Sequence, residues 1–228
     1  MSKRIEMPIN NYILSKLEKP IRNKNDVITL LLETMNFFLA GNLIQNKYEK
    51  GKVIIYVDKM SRIIYELENK IFSINFPFLC QENNGILKIK FNDYEINEQI
   101  ISELMIIIYE MKNNSPSEII ETLIDSIELF DILNRLITYE YGYIRYDYDF
   151  EHANGNFHPL NHLDINYLNT NQYKLGLDNK LNVEQFIDIL DLNTDCYFLH
   201  KNDNLELMED NMERLVIIWI TMDIFLYG

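Results

Sequence analysis

The chain has 228 residues and a mass of 27.3 kDa, with 47% hydrophobic and 25% charged residues. This composition excludes a disordered, collagen-like or coiled-coil protein. Seven glycines and five prolines leave little material for flexible linkers. We therefore predict one globular domain over residues 1–228, with a helical N-terminal part at about 1–46 and an α+β body at about 47–228.

Acidic residues outnumber basic ones by 35 to 21, which gives a net charge of −14. The first 60 residues carry 10 basic and 6 acidic residues, whereas the remaining chain carries 11 and 29. Such a surface repels phosphates, so the charge argues against binding of duplex DNA. The acidic surface either keeps the protein soluble, or meets a basic protein partner or mimics nucleic acid, and the sequence does not separate these interpretations.

Features of secretion or membrane insertion are not visible in the sequence. Cys80 and Cys196 lack metal-ligand or redox spacing, and the first residues lack the apolar core of a signal peptide. The apolar run at 215–226 is shorter than the roughly 20 residues needed to cross a bilayer and contains Asp223. We expect a cytoplasmic protein that does not bind membranes.

Helical and strand periodicities alternate along the chain without βαβ regularity. In the first half they predict helices at 10–18 and 25–45, a strand at 53–57, a segment at 59–78 that fits either strand or amphipathic helix, and a strand at 86–91. In the second half they predict helices at 97–111 and 115–138, strands at 141–150, 158–167 and 173–177, and helices at 182–192 and 204–226. The predicted fold class is α+β, with an antiparallel sheet centred on a hairpin at about 141–177 and flanked by helices.

Polar residues concentrate on one face of this hairpin. Alternation places Arg145 and Asp147 on the same face of the first strand, and His162 and Asp164 on the same face of the second. When the apolar faces are paired, these four side chains become neighbours, and His158 lies at the end of the connecting loop. The candidate site therefore comprises Arg145, Asp147, His158, His162 and Asp164.

Three chemistries and one structural role fit these residues. His158 and His162 could act as base and acid in metal-independent phosphodiester cleavage, with Arg145 stabilising the developing charge. The residues could instead form a binding surface, or cross-strand ion pairs that only support the sheet.

The third chemistry is metal binding, for which His158, His162 and Asp164 offer imidazole and carboxylate ligands that Asp147 could complete. On an extended strand, residues four apart are about 13 Å apart at roughly 3.3 Å per residue, so this site requires a bend at Pro159. We expect no metal and no cofactor.

The strings RYDYD at 145–149 and HPLNHLDI at 158–165 resemble the RYDYD…HPxxHLDI signature of an uncharacterised family of small bacterial proteins. Members of that family look like companions of mobile-element and phage-defence genes. The Arg-Tyr-Asp segment and the His-rich hairpin are also similar, more loosely, to small toxin-type endoribonucleases. The resemblance implies a toxin-like nuclease or an accessory subunit.

Together these observations predict an intracellular accessory or effector protein of a bacterial or phage defence or toxin system, acting mainly through protein contacts. One alternative is a metal-independent endoribonuclease that cleaves RNA with the His/Arg/Asp cluster. A second alternative is an acidic inhibitor that mimics nucleic acid and binds a basic protein.

Overall fold

The computed structural model describes residues 4–19, 21, 23–40, 50–57, 60–83, 86–113, 126–165 and 173–194. The chain divides into two compact units, Met1–Leu192 and Asn193–Gly228. Only residues 193 and 194 of the second unit belong to the described part, so the architecture below is that of the first unit. The prediction of a single domain stays a prediction, and the predicted helix at 204–226 lies outside the described residues.

Ten strands and five helices occur within the described residues. The strands are β1 (Arg4–Pro8), β2 (Lys52–Tyr56), β3 (Arg62–Glu66), β4 (Lys70–Asn75), β5 (Leu79–Asn83), β6 (Ile86–Phe91), β7 (Tyr94–Ile96), β8 (Ile144–Tyr148), β9 (Asn161–Ile165) and β10 (Tyr173–Leu177). The helices are α1 (Asn11–Leu17), α2 (Lys24–Leu39), α3 (Glu98–Asn113), α4 (Ile127–Thr138) and α5 (Val183–Leu190). None of these helices combines the length and apolar character that a membrane-spanning helix needs.

Seven strands form one antiparallel sheet in the order β1-β2-β3-β4-β8-β9-β10, and β5-β6-β7 form a smaller antiparallel sheet. The α+β prediction is confirmed, including the antiparallel hairpin and its third strand. The hairpin strands β8, β9 and β10 occupy one end of the large sheet, where β8 pairs with β4.

Both faces of the large sheet are covered by apolar side chains. One face packs against the helices α1, α2, α3 and α4 and against the small sheet, and together they form the main core. Strands β2, β3 and β4 contribute to this core Val53, Ile55, Ile63, Tyr65, Phe72 and Ile74. The opposite face packs against α5 through Ile54, Ile64, Ile71, Tyr146 and Leu163. The polar face of the hairpin continues the first of these faces beyond Phe72, because Arg145 is the residue opposite Phe72 in the register of β4 and β8.

The ambiguous segment at 59–78 forms the central strands β3 and β4. Residues 63–65 and 71–74 are buried on both faces of the sheet. Strands buried on both sides read as continuous apolar runs, which removes the alternation that would have identified them.

Helix boundaries follow their capping residues. The side chains of Asn10, Asn23 and Asn182 each accept a backbone hydrogen bond at the start of α1, α2 and α5. Helix α2 ends at Leu39, earlier than predicted, and residues 41–45 of the predicted helix lie outside the described part, as do residues 115–125 before α4.

Candidate functional site

The register of the hairpin brings four of the predicted site residues together. Arg145 lies opposite Asp164 and Asp147 lies opposite His162. The alternation predicted that these four side chains share one face. On the outer side, β10 places Lys174 opposite Asp164. Asp147, His162 and Asp164 are buried, so the hairpin carries a charged cluster at the rim of the main core.

Arg145 links the two carboxylates of this cluster. Its Nε donates to Asp147 Oδ2 at 2.6 Å and its Nη2 donates to Asp164 Oδ2, so one guanidinium bridges two buried acids. Burial lowers the pKa of Arg145, but the nearby charges of Tyr143, Asp147 and Asp164 outweigh this effect and raise it. The guanidinium therefore remains charged and is shared between the two carboxylates, which leaves one negative charge on the three groups.

The loop between β8 and β9 is organised by Asp149. Its carboxylate accepts hydrogen bonds from the backbone N–H and ring Nδ1 of His152 and from Nε2 of His158. Partial burial raises the pKa of Asp149, but the hydrogen bonds from His152 and His158 lower it to about 2. The stability that the ionised Asp149 gains from these hydrogen bonds is thus fully present above the ordinary Asp pKa of about 3.9, and it is lost as the pH falls towards 2.

The chain bends at Leu160, next to Pro159, and this bend changes the position of His158. Strand β9 begins at Asn161 rather than at residue 158, and His162 Nδ1–H donates to the Pro159 carbonyl at 2.8 Å. The Pro159 ring packs over Gly176, where a Cβ would lie 3.0 Å from Pro159 Cγ. The strand prediction for residues 158–160 is therefore wrong. The rings of His158 and His162 lie 4.8 Å apart in a T-shaped contact, far closer than an extended strand would allow.

Lys174 belongs to the cluster, although sequence reasoning did not include it. Its Nζ lies 3.4 Å from His158 Nδ1, 3.3 Å from His162 Nε2 and 3.7 Å from Asp164 Oδ1. The predicted third strand, paired in register with the second, was the available signal for this residue. The site also contains a set of possible metal ligands, because ligand atoms of Asp147, His162 and Asp164 lie within 4.8 Å of one another.

Lys70 approaches the cluster from the neighbouring strand β4, where it lies opposite Asp147. Burial lowers the pKa of Lys70, and the charges of Asp147 and Asp149 oppose that effect. Arg145, Asp147 and residues 148–152 also line an open cleft of about 1240 Å³, whose other wall includes Lys50, Lys52 and Lys70. One side of the cluster thus faces a cleft of mixed charge.

On the opposite face of the hairpin, an amide is buried among apolar residues. Asn161 lies on the face that packs against α5, and its Oδ1 accepts a hydrogen bond from the Tyr146 hydroxyl at 2.8 Å. The same hydroxyl accepts a hydrogen bond from the backbone N–H of Leu181, just before α5. This network satisfies the buried amide and ties β8 and β9 to α5.

The loop that follows β8 exposes three large apolar side chains. Phe150 is 65% exposed, Phe157 is 91% exposed and Leu160 is 39% exposed. We call these three residues the apolar loop surface. Large apolar side chains that are exposed on one loop are candidate contacts for a partner protein.

Comparisons with protein-family models, curated proteins and solved structures found no match to this chain. The function therefore has to be argued from the site itself.

Proposed function

We propose that the chain is an intracellular accessory or effector protein of a bacterial or phage defence or toxin system, and that it acts mainly through protein contacts made by the apolar loop surface. The class of system rests on the resemblance of the hairpin signature. The mode of action rests on the structure of the loop.

The observation that carries this proposal is the exposure of Phe150, Phe157 and Leu160 on one internally bonded loop. Burial of such side chains contributes roughly 25 cal/mol for each Å² of apolar area removed from water. The loop is fixed by the hydrogen bonds of Asp149 and by the backbone pairing of Asn154 with His158. A surface that is already ordered loses little conformational entropy on binding.

The charged cluster supports the same proposal. Arg145 pairs with both buried carboxylates, and His162 is only 1% exposed. Charged and polar side chains that hydrogen-bond to one another inside the protein are better suited to holding the loop in place than to reacting with a substrate. In this proposal, Asp149, His158 and His162 are positioning residues for the loop.

We expect the double substitution Phe150→Ser/Phe157→Ser to weaken binding of the partner at least about tenfold, because exposed aromatic residues are frequent hot spots. Its melting temperature should match that of the wild type, since neither side chain is buried. The measurement is quantitative mass spectrometry of proteins that copurify with each tagged form from the native host. The partner that copurifies most strongly is then purified, and its binding constant is measured with the wild type and with each variant.

The matched control is Ile127→Ser, which removes an 81% exposed apolar side chain from α4, outside the loop. It should bind the partner as the wild type does. Equal binding constants for the wild type and the double Phe variant would contradict the proposal, and so would an equal loss in the Ile127 control. The alternative of an acidic nucleic-acid mimic predicts a different result, namely binding to a basic protein that weakens steeply with salt.

The alternative of a metal-independent endoribonuclease is favoured by one observation, the contact of the His158 and His162 rings beside the Lys174 ammonium. Two imidazoles and a cation are suited to acid–base cleavage of a phosphodiester. Cleavage of end-labelled RNA, with and without a chelator, tests this alternative. Cleavage that disappears in a folded His158→Ala/His162→Ala variant would support it, and an inactive wild-type protein would contradict it.

A further inference from the structure

Three potential metal ligands converge on the position of the Lys174 ammonium group. His158 Nδ1, His162 Nε2 and Asp164 Oδ1 lie 3.4, 3.3 and 3.7 Å from Lys174 Nζ. Asp147 Oδ2 lies 3.6 Å from the same His162 nitrogen. Two imidazoles and one carboxylate therefore surround one cationic atom, and a second carboxylate lies beside one of the imidazoles. We propose that this position is a binding site for a divalent first-row metal ion of the Zn²⁺ type, and that Lys174 competes with the ion.

The hydrogen bonds behind the two histidines direct the correct nitrogens towards the site. A carbonyl oxygen only accepts, so the Pro159 carbonyl fixes the proton of His162 on Nδ1 and leaves the Nε2 lone pair facing Lys174. The Asp149 carboxylate fixes the proton of His158 on Nε2 in the same way and leaves the Nδ1 lone pair facing Lys174. A carbonyl or carboxylate behind each imidazole is the usual second layer of a metal site.

The carboxylate of Asp164 is oriented in a comparable manner. Arg145 binds Oδ2 of Asp164, so Oδ1 of the same group is directed at Lys174. Zinc–nitrogen and zinc–oxygen bonds are about 2.0–2.2 Å long, so each ligand atom must approach the ion by about 1.1–1.7 Å relative to its distance from the ammonium. His158 lies on a loop and can make such a movement more easily than the strand residues.

Charge balance explains why Lys174 and a metal ion would exclude each other. Around the site, the carboxylates of Asp147, Asp149 and Asp164 face the cations of Lys70, Arg145 and Lys174. Withdrawal of Lys174 leaves one excess negative charge, which attracts a divalent ion. Lys174 is on β10, at the end of the sheet, and its side chain is 39% exposed, so it can turn towards solvent.

The donor set also indicates which ions bind. Imidazole nitrogens suit zinc and other first-row transition ions, whereas Mg²⁺ prefers oxygen ligands and retains its water. Zn²⁺ should therefore bind much more tightly than Mg²⁺. Nitrogens that bind a metal cannot act as acid and base, so a tight site here would exclude the metal-independent ribonuclease.

The test is titration of the full chain with Zn²⁺ and, separately, with Mg²⁺, by calorimetry and by the shift in melting temperature. We expect Lys174→Ala to bind one Zn²⁺ at least tenfold more tightly than the wild type, because the competing ammonium is gone. We expect Lys174→Ala/His158→Ala to bind Zn²⁺ at least tenfold more weakly than Lys174→Ala does. The matched control is Lys88→Ala, which removes an exposed lysine paired with Glu95 and should bind Zn²⁺ as the wild type does.

Both substituted side chains are partly exposed, so the variants should fold, and circular dichroism checks this. If the double variant is unfolded, Lys174→Ala/His158→Gln replaces it. A Co²⁺ spectrum of Lys174→Ala gives an independent readout, with nitrogen and oxygen ligation expected and no thiolate band. The proposal is overturned if Lys174→Ala binds Zn²⁺ no better than the wild type, if the affinity survives loss of His158, or if the Co²⁺ spectrum shows thiolate ligation.

Discussion

Replacing Arg145 with methionine is expected to lower the free energy of unfolding by about 3–5 kcal/mol. The guanidinium is the shared partner of Asp147 and Asp164, and both carboxylates are buried. Without Arg145 they would be two like charges near each other in a region of low water access. Urea unfolding of the wild type and the variant measures the difference.

Two further variants show whether the uncompensated charges cause the loss. Arg145→Met/Asp147→Asn/Asp164→Asn removes the charges together with the guanidinium and should recover part of the stability. Arg135→Met removes an arginine that also pairs with an aspartate, Asp131, but on the exposed surface of α4, and should leave the free energy of unfolding close to that of the wild type. An Arg145 variant as stable as the Arg135 variant would show that the buried cluster does not depend on its guanidinium.

The charged face of the hairpin was predictable from sequence because strand periodicity is strict. A period of two places Arg145 and Asp147 on the face opposite to Tyr146. The apolar faces of the two strands must lie on the same side of the sheet, so the polar faces share the other side. The presence of Arg145, Asp147, His162 and Asp164 on one face followed from this matching, whereas the exact pairs, Arg145 with Asp164 and Asp147 with His162, are given by the structure. The prediction succeeded because one face of the hairpin is apolar and packs against α5.

The position of His158 was not predictable in the same way. Periodicity assigns a residue to one face of a strand, but it does not indicate where the strand begins. Pro159, beside the bend, lies against Gly176, and these two residues are distant in sequence and meet only after β9 and β10 pair. A metal site on this strand required a bend at Pro159; the chain bends at the next residue, Leu160, and the rings of His158 and His162 are in contact.

Two parts of the large sheet escaped prediction for different reasons. Strands β3 and β4 are buried on both faces, so their apolar residues do not alternate. Strand β1 is short and contains Arg4, Glu6 and Pro8, which favour other structures in isolation. It is recognisable only from its pairing with β2, at the end of the sheet, where a proline is tolerated.

Replacing Phe186 with alanine is expected to cost about 3–5 kcal/mol, which is the usual range for loss of a buried phenylalanine. Phe186 is 0% exposed and is the central apolar residue of α5, between Val183 and Ile187. Within the described residues, α5 is the helix that covers this face of the large sheet. For a chain of this size the loss corresponds to a fall of about 6–20 °C in melting temperature, measured by calorimetry.

The control for this prediction is Glu184→Gln, on the same helix. Glu184 forms a two-pronged ion pair with Arg4 of β1, but its side chain is 62% exposed, so the substitution should cost less than about 1 kcal/mol. The effect of Phe186→Ala should extend to the polar face, because the Tyr146 hydroxyl connects Leu181, before α5, with Asn161, the neighbour of His162 on β9. Faster amide hydrogen exchange in β9 of the Phe186 variant would report this coupling. Unchanged exchange there, or a loss no larger than that of Glu184→Gln, would show that α5 and the cluster are independent.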